Sequence, residues 1–166
     1  MKKLDDVDWE NWKPKETATL LFVIRGGRIL LIRKKRGLGQ GKINGPGGRL
    51  EKGETALQCA IRETEEELLI TPRWLVERGI LKFQFCDGYS LHGTVFTATG
   101  YTGTPTSTDE ADPLWFDVDR IPYKEMWEDD QYWLPQVIDG QNFEGRFLFD
   151  DDKMLGKHLT FSRPST

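Results

Sequence analysis

The run Gly48-Arg49-Leu50-Glu51-Lys52-Gly53-Glu54, followed after seven residues by Arg62-Glu63-Thr64-Glu65-Glu66-Glu67, sets a glycine turn before a carboxylate-dense segment. On a helix turning about 100° per residue, with Glu63 at zero, Glu66 falls at roughly 300° and Glu67 at roughly 40°, so these three carboxylates share one edge. Leu57, Ile61, Thr64 and Leu68 gather at roughly 100–160° and form the stripe to be buried. Like charges three and four positions apart cost about a few tenths of a kcal/mol per pair, which a bound divalent cation offsets. The edge therefore suits Mg²⁺-assisted chemistry on phosphates, with hard oxygen donors around a hard ion. A glutamate run alone is usually a solvated face. Here Arg62 stands beside the edge to hold a carboxylate, and Gly47 and Gly48 let backbone come close.

The elements that must hold this edge are also readable. Thr55 and Gln58 form a capping-box pattern, so the helix starts at Thr55 or Ala56, and Pro72 is expected to stop it. Thr17 to Ile24 and Ile29 to Arg33 are apolar runs around Arg25-Gly26-Gly27-Arg28, the pattern of a hairpin. Lys34-Lys35-Arg36 leads into Gly37-Leu38-Gly39-Gln40-Gly41, a basic flexible loop that serves either solubility or an anionic substrate. Arg78 to Cys86 alternates as a strand, and Ser90 to Thr99 reads as its partner through Asp87-Gly88. Residues 100–112 read as loop, Leu114-Trp115-Phe116 as a short strand, Ile121 to Trp127 and Asp130 to Ile138 as short helices, and Phe143 to Phe149 as the closing strand. One strong helix among many strands, with smaller helices near the end, makes an α/β sandwich around a mixed sheet.

With 166 residues the chain reads as one domain, residues 17–166, behind a polar lead-in over residues 1–16 that is extended or mobile, with Trp9 and Trp12 available to tack it down. A hydrophobic content of 37% fits a folded globule, while a net charge of −4 argues against a dedicated binder of long nucleic acid. Cys59 and Cys86 show neither metal spacing nor a disulfide framework, and are read as ordinary partly buried thiols in a reducing cytoplasm. No signal pattern and no membrane-length apolar run occur, so a soluble monomer is expected.

Gly48, Glu54, Arg62, Glu63, Glu66 and Glu67 together resemble the Nudix box, in which these residue types recur at this spacing. Thr64 departs from the aliphatic residue usual there, and Leu69 from the glycine near the helix end, where a left-handed residue is free of strain. The resemblance implies the α/β/α sandwich of the Nudix fold and hydrolysis of a nucleoside diphosphate linked to another group. Lys34-Lys35-Arg36-Gly37, Asn44-Gly45, Gly47-Gly48, Ser107-Thr108-Asp109-Glu110, Ile121-Pro122 and Met126-Trp127-Glu128-Asp129-Asp130 resemble the branch of that family acting on oxidised purine nucleoside triphosphates. It implies Mg²⁺, with Mn²⁺ able to substitute, held by Glu63, Glu66, Glu67, Glu110 and the Gly47 carbonyl. Glu67 then stands for the base or a bridging ligand, and Glu110 for a distal ligand or alternative base. For substrate contact it implies Thr19, Lys34, Asn44, Pro46, Gly47, Gly48, Arg49, Phe83, Trp127, Glu128, Asp129 and Asp130. Trp127 offers a face for a purine, and the adjacent carboxyls of Asp129 and Asp130 offer a donor and an acceptor if one stays protonated. The ordinary alternatives are a core tryptophan and a helix N-cap. Leu38, Pro46, Leu91 and Ala111 replace larger aromatic or methionine side chains, which leaves the preferred base open. His92 and His158 stand outside every motif.

Overall fold

Gly26 and Gly27, both at positive φ, close a tight turn that a β-carbon would strain, and the chain doubles back there into an antiparallel pair. In the computed structural model, which describes residues 1–164, the pair is β1 (Glu16–Arg25) and β2 (Arg28–Lys34). The other strands are β3 (Ile43–Asn44), β4 (Gly47–Arg49), β5 (Ile70–Phe85), β6 (Ser90–Gly103), β7 (Ala111–Asp117), β8 (Asn142–Asp150) and β9 (Lys153–Ser162). They form one nine-stranded sheet in the order β3-β2-β1-β6-β5-β8-β9, with β4 on β1 and β7 on β2. The sheet is mixed: β1 runs parallel to β6 and β5 to β8, and the remaining pairs are antiparallel.

Alternation along β1 sends neighbours to opposite faces. Leu21 and Val23 join Ala60 and Leu68 of helix α1 (Ala56–Leu68), while Phe22 joins Trp133, Leu134 and Val137 of helix α2 (Asp130–Ile138). One helix thus covers each face, which is the α/β/α sandwich expected from the sequence. Trp133 is fully buried, stacked on Phe143 with centroids 4.8 Å apart.

Thr55 caps α1 as its pattern requires: its hydroxyl accepts from Gln58 N at 3.1 Å and the Gln58 side chain accepts from Thr55 N at 2.9 Å. The helix ends earlier than Pro72. Leu69 itself adopts φ 60 and ψ 33, its N–H bonded to Glu65 O, and the chain enters β5 at once. Pro72 lies inside β5, on the stretch before Gly79 that has β6 but not β8 beside it, where a missing N–H is tolerated. Because Leu69 is 57% exposed and buries little, Leu69→Gly is expected to stabilise the fold by about 0.5–1 kcal/mol, raising Tm by about 1–4 °C. A melting curve that moves downward would show that no strain is held there.

Other expectations are corrected. Residues 121–127 contain only a 3₁₀ turn at Tyr123–Glu125, Pro122 having no helical partner to continue from. The loop read over 100–112 shrinks to 104–110, because β6 and β7 extend into it. Phe143 to Phe149 does not close the fold, since β9 adds an edge strand beyond it. Residues 1–16 carry 3₁₀ turns at Leu4–Asp6 and Trp9–Asn11, with Val7 buried and Trp12 tacking them to the body, its Nε1 donating to Gln84 Oε1 at 3.0 Å. Among the described residues no helix is long and apolar enough to cross a membrane.

Candidate active site

A cavity of about 590 Å³, within the size range of small-molecule sites, opens between the α1 edge, the glycine strand β4 and the aromatic end of the sheet. At one end, Glu63, Glu66 and Glu110 each bring a carboxylate oxygen within 4.8 Å of the others. Arg62 stands behind them: it donates to Glu54 at 2.6 and 2.9 Å, to Glu63 at 2.9 Å and to Glu66 at 3.2 Å. That guanidinium holds the Glu54 carboxyl down to about 2, with the Glu51 N–H assisting, and is itself pushed up in pKa by the same bonds. Arg36 closes the other side with an ion pair to Glu110 at 2.9 Å.

The glycines matter for a specific reason. A β-carbon on Gly48 would run into the Glu63 carboxylate, and one on Gly47 into the Thr19 carbonyl. Three hard oxygen donors of one charge, converging beside bare backbone, fit a divalent cation. Gly48→Ala is expected to displace Glu63 and weaken divalent-cation binding about 10- to 100-fold, read by titration of the chelator-treated protein. Unchanged affinity would remove Glu63 from the cation site.

Glu67 stands beside this cluster, feeling the charges of Glu63 and Glu110, but is not one of the three converging carboxylates. It is 5% exposed, accepts from Gly47 N at 3.2 Å, and its carboxyl is pushed up to about 8, first by burial and then by the charge of Glu63. Burial likewise raises Glu63. Cys59, bonded to Gly48 O and Thr19 Oγ1, is pushed by burial to about 11 and is inert as a thiol.

The opposite end is built from Trp127, Phe85, Phe83, Asp129 and Asp130. Trp127 meets Phe85 and Phe149 edge-on at 6.1 and 5.6 Å and carries Lys42 over its ring at 5.3 Å. Gly39 passes so close to the indole that a side chain there would collide with it. Asp129 and Asp130 are buried, and the capping alternative fails because Asp129, though at the α2 N-cap, makes no side-chain cap bond. Instead Asp129 Oδ2 accepts from Trp133 Nε1 at 2.8 Å, leaving Asp129 Oδ1 and Asp130 Oδ2 buried without partners. Burial raises Asp129 to about 6, and burial together with the Asp129 charge raises Asp130 well above the usual range. Both residues line the cavity, and the two carboxyls are close enough to hydrogen-bond to each other when one is protonated.

Thr19, Lys34, Asn44, Gly47, Gly48 and Arg49 also line the cavity. Three expected site residues do not. Arg62 lies behind the carboxylates, the Pro46 carbonyl is turned into the sheet to accept from Leu21 N, and Glu128 accepts from Met154 N. Of the altered positions, Leu38 and Leu91 line the cavity, whereas Ala111 is buried in the core. Arg36, Glu16, Tyr89 and Leu81 line the cavity beyond the expected site residues, and of these only Arg36 had a local signal, the basic run Lys34-Lys35-Arg36.

The NUDIX domain family matches residues 14–137. That span holds both the carboxylate cluster and the aromatic end. The chain belongs to the Nudix family. Members of it generally need a divalent metal. The chain is 42% identical to the oxidized purine nucleoside triphosphate hydrolase of Danio rerio over 141 residues, covering 84% of this chain and 90% of the relative. It is 40% identical to the protein of that name from Mus musculus, covering 82% and 88%. Among solved structures, a MutT protein from Bacillus halodurans superposes with a TM-score of 0.78 at 26% identity, covering 87% of this chain and 97% of that one. The Nudix fold is therefore shown by sequence and by shape together.

Proposed function

We propose that this Nudix protein is a Mg²⁺-dependent pyrophosphohydrolase, with Mn²⁺ able to substitute, converting oxidised purine nucleoside triphosphates of the 8-oxo-dGTP and 2-hydroxy-dATP type to monophosphate and pyrophosphate. Its role is sanitation of the nucleotide pool. One observation carries the reading: a single cavity joins a carboxylate cluster fit for a cation to a buried Asp129-Asp130 pair beside Trp127. Relatives bearing the substrate in their name, at 40% and 42% identity, support it.

Glu63, Glu66 and Glu110 would hold the cation, which would neutralise phosphate charge and acidify a water. Lys34 and Arg36 face the polyphosphate, with Arg49 on the same lining. Glu67, buried beside the cluster with its carboxyl turned to the Gly47 N–H, would take the water's proton as general base. At the far end Trp127 stacks on the purine, and Asp130, kept protonated, donates to the base edge while Asp129 accepts. An exchanged proton between the two reverses donor and acceptor, so both oxidised guanine and oxidised adenine fit.

The test is a panel of normal and oxidised purine triphosphates, ADP-ribose and diadenosine polyphosphates, scored for pyrophosphate and phosphate with and without Mg²⁺. Pyrophosphate release is expected to favour the oxidised purines. Equal rates on all triphosphates would remove the substrate assignment, and turnover confined to ADP-ribose or the dinucleoside compounds would replace it.

A further inference from the structure

Along one wall of the cavity a row of side chains links its two ends. Trp127 touches Phe85, whose ring lies 5.6 Å from that of Tyr89. The Tyr89 phenol is raised in pKa by burial and then by the Glu16 carboxylate it faces, and Glu16 is paired with Arg49 at 2.7 Å. Arg49 in turn follows Gly48 and feels the charge of Glu63. Tyr89 therefore stands midway between the aromatic and the carboxylate ends, where the sugar of a nucleoside triphosphate must lie if base and phosphates occupy those ends.

Tyr89 is held there by a segment that straddles the start of the residues matched to the family. Trp12 Nε1 fixes Gln84 Oε1, and the Gln84 amide donates to Phe85 O at 3.0 Å and Tyr89 O at 3.2 Å. Lys15 N donates to both Ser90 Oγ at 2.9 Å and Ser90 O at 3.2 Å, and Ser90 is buried. The turn carrying Tyr89 is thus gripped from both sides by residues 12–15, and Leu4 packed on Gly156 and buried Val7 anchor the segment to the rest of the fold.

We propose that Tyr89 is a substrate-contacting residue that packs against the nucleotide sugar, and that Trp12 is the positioning residue that presents it. This rests on the functional reading above. Losing one aromatic contact is worth about a factor of ten in binding. Tyr89→Ala and Tyr89→Leu are expected to raise KM about tenfold for the oxidised purine triphosphates with kcat within about twofold, and Tyr89→Phe to restore the parent KM. Inhibition by inorganic triphosphate, which has neither sugar nor base, is expected to stay unchanged. Trp12→Phe, which keeps the ring and deletes the donor, is expected to raise KM about threefold and to add nothing in the Tyr89→Ala background. A parent-like KM in the Tyr89 variants, or weaker triphosphate inhibition in parallel with KM, overturns the sugar contact. A parent-like KM in Trp12→Phe, or an additive double variant, overturns the positioning role. If the parent protein turns over none of these triphosphates, the functional reading fails by itself. Calorimetric binding of the oxidised deoxynucleoside monophosphate then decides the inference, about tenfold weakening in Tyr89→Ala supporting it and equal affinity overturning it.

Discussion

Glu67→Gln is expected to lower kcat about 10²- to 10⁴-fold, the range set by losing a positioned general base, while divalent-cation affinity changes little. The split follows from geometry. Glu63, Glu66 and Glu110 form the converging group, whereas Glu67 is turned to the Gly47 N–H and buried beneath them. Were Glu67 a bridging ligand, kcat and cation affinity would fall together, so titration of the cation alongside turnover separates the two roles. Stability adds an independent check with a defined sign. Burial raises the folded-state pKa of Glu67 from 4.5 to about 8, so the folded chain binds its proton more readily than the unfolded chain. The stability associated with that proton is full below about 4.5 and is lost as pH rises through about 8. In chelator, Glu67→Gln is therefore expected to melt above the parent at pH values beyond 8 and close to it near pH 4.5. An unchanged difference across that window would mean that Glu67 carries no such burial penalty.

The reach of the sequence is clearest at this same helix. Glu63, Glu66 and Glu67 share an edge because 3.6 residues make a turn, and that arithmetic needs no knowledge of the rest of the fold. It could not tell that one of the three sinks below the others, because depth is set by β4 and Gly47, which reach the helix through the sheet. Leu69 drew notice as a departure from a glycine, and it takes the left-handed conformation that a glycine would take. Pro72 misled because a proline stops a helix only where a helix still runs, and the chain had already turned into β5. Strand β9 escaped because its solvent-facing edge carries weak alternation; only Met154, Leu155, Gly156 and Leu159 are partly shielded. Glu16 and Tyr89 belong to the cavity through a partner 33 residues away or across a turn, and no local pattern encodes such a meeting. The aspartate pair was legible as adjacent carboxyls, but its burial was not, since a helix N-cap presents the same residues to solvent.

Asp130→Asn is expected to change the ratio of kcat/KM between an 8-oxo-guanine and a 2-hydroxy-adenine triphosphate by at least about tenfold, since a buried polar group left unmatched is strongly discriminating. In the proposed reading the parent uses one mobile proton shared by two carboxyls whose burial raises both pKa values and opposes joint ionisation. An amide at position 130 fixes the donor there and removes the exchange, so the base needing the reverse order meets two donors or two acceptors. Asp129→Asn keeps an acceptor for Trp133 Nε1 through its amide oxygen but removes the acid that exchanges a proton with Asp130, and both substrates are expected to lose about 10- to 100-fold. The pH dependence of stability follows from both pKa values lying above 3.8: the folded chain retains protons that the unfolded chain releases, so stability is full below about 3.8 and declines as pH passes about 6. Asp130→Asn removes a titrating group from that pair and is expected to flatten the decline, melting above the parent at pH 8 and level with it at pH 4. A variant with the parent's base ratio and the parent's pH profile would show that the two carboxyls do not share a proton and that base recognition lies elsewhere along the Trp127 wall.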